Sequence, residues 1–514
     1  MKNYWFFCSL LFLFSCERSG SVAITPKGEV LATSRVSGET IEQPKLGLSK
    51  GDTSAQAERM EPTQKNGTGD WFEPYSHYYG VYLNGSKTGW MQVTGKENHG
   101  VIEFSTLMEA KIGGMGRVSQ VNLSEKRAYS GSGNLLTRLH FVQSSSTGKV
   151  EVNGFRDTGK FKLEILAGGN KVERFMEVWE KVSDILDVQS LVKTGKVGDS
   201  IEVSHFDASS QKEFVVQHRV LAMEQKLFGG IETSTLKIET NYPAMQIKET
   251  SWYDRSGKLL EAKVGGFFVA RLEPEEEAKR LDYIQDLLVS SVVKPPSPLT
   301  GIEQRTSMKL TMGGFGKLLP PESPRQKVKS HGDTLSVELQ VDDALPVIKL
   351  PIQGGPQTAL EATPFIQSNH PNLKSKAEAV TSKAATLPTA VELLVRFVYS
   401  HVQDEYVPAF SNALEALESG KGDCTEHSIL FVAMARAIGI PARMAVGVAY
   451  WPPGQGFGWH AWAEVWANGQ WYAVDPTWNQ VNADVSHIKL AEGAPYQQAR
   501  IVMLLGKLSI ENAE

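Results

Sequence analysis

The 514-residue chain is short of cysteine, of basic excess and of long apolar runs, and each shortage excludes something. Three cysteines, Cys8, Cys16 and Cys424, are too few for a disulfide framework. A formal net charge of −5 supplies no basic face, so no nucleic-acid partner is expected. Apolar runs stay well short of the roughly 20 residues that cross a bilayer as a helix. Residues 17–70 lack aromatic side chains altogether and are rich in Ser, Thr, Gly, Glu and Lys. Such a stretch buries too little apolar surface to order itself, and as a flexible tether it reaches about 40 Å. What remains is ordinary: 41% hydrophobic and 22% charged residues, with length for about three domains.

The amino terminus reads as a targeting segment. Lys2 precedes an apolar stretch from Tyr4 to Phe14, then Ser15 and Cys16, the order of a secretory signal. Leu13-Phe14-Ser15-Cys16 resembles the bacterial lipobox, which would make Cys16 the lipid-modified first residue of an exported chain. The alternative is an ordinary signal peptide with an incidental cysteine. The lipobox reading expects a cell-envelope protein, facing periplasm or cell surface, with the membrane as partner through its anchor. Cys8 then leaves with the signal, and Cys424 is the one remaining thiol. A lone thiol is either a small buried hydrophobe or a reactive group.

Residues 71–275 read as an antiparallel β domain, a sandwich or a curled sheet. Tyr78 to Leu83 runs into Asn84-Gly85, a hairpin signal, and similar runs are Leu139 to Val142, Phe214 to Val216 and Thr235 to Ile238. Glu273-Pro274-Glu275-Glu276-Glu277 reads as a solvated charged face. Residues 276–363 form a Pro-interrupted connecting region with further strand signals such as Ser336 to Val341. Helices are expected after Asn369, one through Val391, Leu394, Val395 and Val398, and a short one over Ser411 to Glu418 stopped by Gly420.

Chemistry concentrates between Cys424 and Asp475. Residues 425–438 are apolar over most of a helical circumference, so that helix is buried, and Gly439 followed by Ile440-Pro441 stops it. Cys424 lies at the helix amino terminus, where unpaired N–H groups favour a thiolate, while Asp423 and Glu426 oppose one. Two strands flank Asn468-Gly469, a two-residue turn that pairs Ala467 with Gln470. Continued, that register sets His460 opposite Thr477 and makes Asp475 its diagonal neighbour, within side-chain reach. Pro476 lacks a ladder N–H and ends the pairing near there. Cys424 as nucleophile, His460 as proton acceptor and donor, and Asp475 as the group that fixes the imidazole follow from this placement. The main-chain N–H of Cys424 is one oxyanion donor.

The motifs Gly422-Asp423-Cys424-Thr425-Glu426-His427, Arg436 to Arg443, Trp459-His460-Ala461-Trp462-Ala463-Glu464 and Trp471 to Thr477 resemble the transglutaminase-like superfamily. The resemblance covers roughly residues 364–514, including His487-Ile488-Lys489-Leu490-Ala491-Glu492-Gly493. It implies a papain-like core with a Cys-His-Asp triad and acyl transfer from an amide of a peptide or protein substrate through a thioester. The fold expected is α+β: an N-terminal antiparallel β domain, then a core in which a Cys-bearing helix packs on an antiparallel sheet bearing His and Asp. No cofactor and no metal are expected. The other reading is a catalytically silent papain-like module that binds within an envelope assembly.

Neighbouring residues have plainer alternatives. Cys424-x-x-His427 is half of a zinc pattern, but no second cysteine completes it, and His427 fits a contact from the helix's first turn. Glu464 shares the face of His460 as a buried partner or a modulator. The six tryptophans between Trp451 and Trp478 are either sheet core or the lining of a substrate slot. The Gly/Pro loop Trp451 to Gly458 stands just before His460 and is placed to shape the mouth of the site.

Overall fold

A computed structural model describes residues 73–514 except 115–116, 131–134, 146–148, 158, 168–169, 266, 282–291, 364 and 405–411. The expected signal, Cys16 and the tether at 17–70 lie outside the described residues. Among the described residues no helix is long and apolar enough to cross a membrane.

Alternating apolar residues and Asn-Gly or Gly-Gly turns make residues 75–273 a run of strands. These are β1 (Tyr75–Leu83), β2 (Ser86–Asn98), β3 (Val101–Gly114), β4 (Arg117–Ser130), β5 (Leu135–Ser145), β6 (Lys149–Asp157), β7 (Lys160–Ala167) and β8 (Asn170–Met176). After helix α1 (Val182–Thr194) come β9 (Ser200–Asp207), β10 (Lys212–Phe228), β11 (Ile231–Tyr242), β12 (Ile247–Tyr253), β13 (Leu259–Val264) and β14 (Phe268–Glu273). All fourteen pair into one antiparallel sheet, ordered from β8 down to β1 and then from β14 down to β9. Asn84 and Gly85 have φ of 47° and 80°, the left-handed geometry of the first hairpin.

The sheet curls. β4 stands fifth in that order and β9 fourteenth, which in a flat sheet would separate them by about 43 Å. Instead Arg127 Nη2 of β4 donates to the Phe206 carbonyl of β9 at 2.8 Å, and Phe161 of β7 meets Phe206 edge-on at 6.1 Å. Glu180 completes the closure, accepting from Arg127 Nη1 and from Phe206 N at 2.8 Å each, and from the Tyr129 hydroxyl. These groups are buried, so each charge must find its partner there.

The charged run after β14 is only partly a solvated face, which corrects the composition reading. Glu275 and Glu276 are exposed on α2 (Glu275–Lys279), but Glu273 turns inward to accept from Lys87 Nζ at 2.6 Å and from the Tyr82 hydroxyl. Its partners come from nearly 200 residues away in sequence, beyond the sight of local charge patterning.

Strands β15 (Ser307–Gly313), β16 (Gln326–His331) and β17 (Thr334–Gln340) make a second sheet. Helices α3 (Pro371–Val380), α4 (Leu387–His401) and α5 (Ala413–Ser419) follow, with two-residue strands β18 (Gln403–Asp404) and β19 (Lys421–Gly422) joined in parallel. Helix α6 (Cys424–Ala437) then leads into β20 (Ala442–Trp451), β21 (Gly456–Ala467), β22 (Gln470–Val474) and β23 (Ile488–Glu492), a four-stranded sheet ordered β22-β21-β20-β23. The last strand, β24 (Ser509–Ala513), adds to the edge of β15.

Helix α6 lies between β20 and β21 on one side and α3, α4 and α5 on the other, so a helix apolar all round is the one that fits. It stops as its sequence predicts: Gly439 has φ 81°, Gly439 N bonds Arg436 O and Ile440 N bonds Ala435 O. The β15–β17 sheet and the segment after it also brace the β20–β23 sheet. Gln326 bonds both the N–H and the C=O of Lys489, at 2.8 and 2.9 Å, and Asp342 accepts from Ala473 N at 2.9 Å.

Candidate active site

Cys424 opens helix α6 behind a capping box. Asp423 Oδ1 accepts from Thr425 N at 2.8 Å, and Glu426 Oε2 accepts from Asp423 N at 2.9 Å. Gly422 is required here, because a Cβ would fall 2.2 Å from Glu426 Cβ. The two acids that oppose a thiolate in sequence are not equivalent in the fold. Burial, and then Asp423 itself, push the Glu426 carboxyl well above the ordinary carboxylate range, which weakens its opposition to a thiolate. The Cys424 sulfur accepts from Ala461 N at 3.4 Å, a donor that sequence spacing does not reveal.

The β21–β22 hairpin brings His460 to Asp475. Asn468 and Gly469 have φ of 47° and 87°, Ala467 pairs with Gln470, and the ladder runs to Ala463 opposite Val474. It does not continue to a His460–Thr477 pair. Pro476 has no N–H to give, and Asp475 turns away to exchange hydrogen bonds with Gln480 at 2.8 and 2.9 Å. The diagonal couple forms nonetheless: His460 Nε2 lies 2.8 Å from Asp475 Oδ2. Burial opposes a charged His460, but the Asp475 carboxylate and the neighbouring Cys424 thiol outweigh it and raise its pKa to about 10. Burial likewise opposes a charged Asp475, and His460 with His487 reverses this, holding the carboxyl well below the usual range. Cys424, His460 and Asp475 thus lie together, with the carboxylate bonded to the imidazole and the thiol close enough to act on its charge.

Sequence reasoning names His487 only as part of a motif, and Asp484 not at all. His487 Nε2 lies 3.1 Å from Asp475 Oδ2, and His487 Nδ1 lies 3.2 Å from Asp484 Oδ1. The Asp484-x-x-His487 spacing between buried Ala483, Val485 and Ile488 is the signal that was available. Gly447, opposite His460 on β20, lets this strand in: a Cβ there would fall 1.9 Å from the Ile488 carbonyl oxygen.

The remaining candidates separate cleanly. Glu464 is a buried structural partner, bonded to Lys489 Nζ and Arg443 Nε at 2.7 Å each. His427 sets its ring nitrogens on the main-chain carbonyls of Asp423 and Val402, at 2.7 and 3.1 Å, and burial lowers its pKa. The tryptophans divide: Trp459 and Trp462 are core, whereas Trp478 stacks on His460 at 4.4 Å and lines a cleft of about 230 Å³ with Trp451, Pro452, Pro453, Glu303 and Asp484. Among the described residues, His460, Asp475 and His487 also bring three potential metal donors within 4.8 Å of one another. Their spacings are those of hydrogen bonds, and Asp475 Oδ2 already accepts from both rings.

Residues 372–476 match the sequence model of the Transglutaminase-like superfamily. No curated protein sequence matches the chain. Among solved structures, the chain is similar to "a Putative Cysteine Protease from Cytophaga hutchinsonii", at 17% identity over 40% of this chain and 85% of that one, with a TM-score of 0.28. It is also similar to a "Beta-barrel-like Protein of Domain of Unknown Function" from Brucella abortus, at 12% identity over 39% and 95%, with a TM-score of 0.30. The family match spans Cys424, His460 and Asp475, and the chain therefore carries a transglutaminase-like domain.

Proposed function

We propose that this protein is an exported, lipid-anchored cysteine enzyme with a papain-like core, acting on peptide or isopeptide amides in the cell envelope. The observation that carries the reading is the juxtaposition of a helix-end thiol with a buried imidazole that is itself bonded to a carboxylate at 2.8 Å. The helix amino terminus, the Ala461 N–H and the imidazolium all favour the thiolate. The sulfur attacks the amide carbonyl, and the main-chain N–H of Cys424 steadies the oxyanion. His460 gives its proton to the departing amine as the C–N bond breaks, leaving a thioester. His460 then takes a proton from water as water attacks and the C–S bond breaks, which releases a carboxylic acid and restores the thiolate beside the imidazolium. Water is favoured over an amine as acceptor, and the sequence needs no cofactor. Leu13-Phe14-Ser15-Cys16 supports anchoring through Cys16.

One observation favours a second reading, a silent binding module. Cys424 and His460 are only 1% and 3% exposed, so a substrate carbonyl reaches the sulfur only if the site opens. Alkylation separates the two. In the full-length chain carrying Cys8→Ser and Cys16→Ser, Cys424 is the sole thiol. Iodoacetamide should label it rapidly well below pH 8.5, the ordinary thiol value, and His460→Ala should abolish that low-pH reaction. Slow labelling with an ordinary thiol profile in both proteins would sink the enzyme reading.

A further inference from the structure

His487 enters none of these steps, yet it is held at both ends. Its Nε2 faces Asp475 Oδ2 at 3.1 Å, and its Nδ1 faces the main-chain and side-chain oxygens of Asp484 at 3.1 and 3.2 Å. Every partner is an acceptor, two of them carboxylate oxygens, and only a ring that donates from both nitrogens, an imidazolium, satisfies them all. Asp484 is fixed in turn: Oδ1 accepts from the N–H and hydroxyl of Ser486 at 2.9 and 2.6 Å, and Oδ2 from Gln480 at 2.8 Å. Asp475 Oδ1 accepts from Thr477 N and Trp478 N, while its Oδ2 takes both rings at once.

We propose that His487 is a buried imidazolium that shares the Asp475 carboxylate with His460, a positioning residue kept charged by Asp484. The inference rests on the Cys424–His460 reading above. Its consequence is electrostatic. With His487 charged, Asp475 and Asp484 are balanced by His460 and His487, and the thiolate forms in neutral surroundings. With His487 neutral, the thiolate would form beside a net negative charge.

The titratable and charged groups that face His487 are Asp475, Asp484 and His460, whose ring centre is 5.5 Å away, and Arg325, which donates to the Ala483 and Asp484 carbonyls. Trp462 and Trp478 close the site edge-on. Burial disfavours a charged ring, but Asp484 and Asp475 outweigh it and raise the His487 pKa. His427 shows what the carboxylates add: it too sets both nitrogens on acceptors, but these are main-chain carbonyls, with an Asp404 oxygen 4.0 Å away, and burial lowers its pKa.

The test follows Cys424 alkylation against pH in the full-length chain with Cys8→Ser and Cys16→Ser, beside His487→Gln and Asp484→Asn. Glutamine retains an N–H for Asp475 but no charge. The midpoint of the acid limb should rise by about one pH unit in His487→Gln. It should stay near the parent value in Asp484→Asn, because His487 then loses the partner that keeps it protonated, and the lost negative and positive charges cancel. A midpoint unmoved in the first variant, or falling in the second, overturns the proposal. Histidine-selective ¹⁵N NMR of the unmutated ring, assigned by its loss in His487→Gln, should show both nitrogens protonated at pH 8. A neutral tautomer there overturns it independently. If Cys424 titrates as an ordinary thiol in every protein, the acyl-transfer reading fails, and the NMR signal still decides the charge on His487.

Discussion

The fourteen-stranded sheet and the Cys424–His487 unit both bury charge, but they end their networks differently. In the sheet, Arg127 and Glu180 meet each other, Tyr129 and the main chain of Phe206, with Glu125 on Arg127 and His205 beside Glu180, and every branch closes within the sheet. In the smaller unit the order is Asp484, His487, Asp475, His460, and the next atom is a sulfur. A closed network stabilises a shape, here the curl that brings β9 against β4 and β7. A network that ends at a nucleophile passes every change of charge along to it. Buried polarity alone therefore does not mark an active site; where the chain of partners stops does.

The largest expected effect lies in the sheet. Glu180→Ala removes the buried carboxylate that Arg127, Tyr129 and Phe206 N share and, although Glu125 still pairs with Arg127, should cost about 3–5 kcal/mol in urea unfolding. The folded fraction should keep an unaltered Cys424 pH profile; a displaced profile would break the distinction between the two networks.

A smaller loss with the opposite signature is expected from Gly447→Ala. The added Cβ meets the Ile488 carbonyl, main chain against side chain, and β23 must shift. About 3 kcal/mol is the expected penalty, with slower labelling of Cys424, because His487 is joined to that strand. Unchanged labelling at reduced stability would mean that the strand's position does not reach the sulfur.

The last expected effect is a pH dependence, read as a slope and not as a loss at one pH. The His460 pKa is raised to about 10 from an ordinary value near 6.5. Its contribution to stability is complete below about pH 6.5 and is lost as pH rises through 10. Melting temperature should therefore fall more steeply between pH 7 and 10 in the parent than in His460→Gln. Equal slopes would mean that the pair adds nothing to the fold.

Much of this site is written locally in the chain. The all-round apolar stretch after Cys424, the Gly439 stop and the Asn468-Gly469 turn are short-range signals, and they bring Cys424, His460 and Asp475 to one place. Register arithmetic stops being valid at Pro476, and beyond it Asp484 and His487 return to Asp475 through a loop whose path depends on contacts with Arg325 and Gln326. That is why they escape a reading by spacing. The large sheet shows the same limit: its hairpins are legible, but the pairing of β1 with β14 and the inward turn of Glu273 join residues nearly 200 positions apart. The transglutaminase-like resemblance speaks only for the later part of the chain, and the match covers residues 372–476.

The central claim is that His460 ionises Cys424. It is tested most directly by thiolate ultraviolet absorbance against pH, in the full-length chain carrying Cys8→Ser and Cys16→Ser, with and without His460→Ala. The account predicts a thiolate already present in the parent well below pH 8.5 and delayed to the ordinary thiol range in the variant. Superimposable titrations in the ordinary thiol range would contradict it.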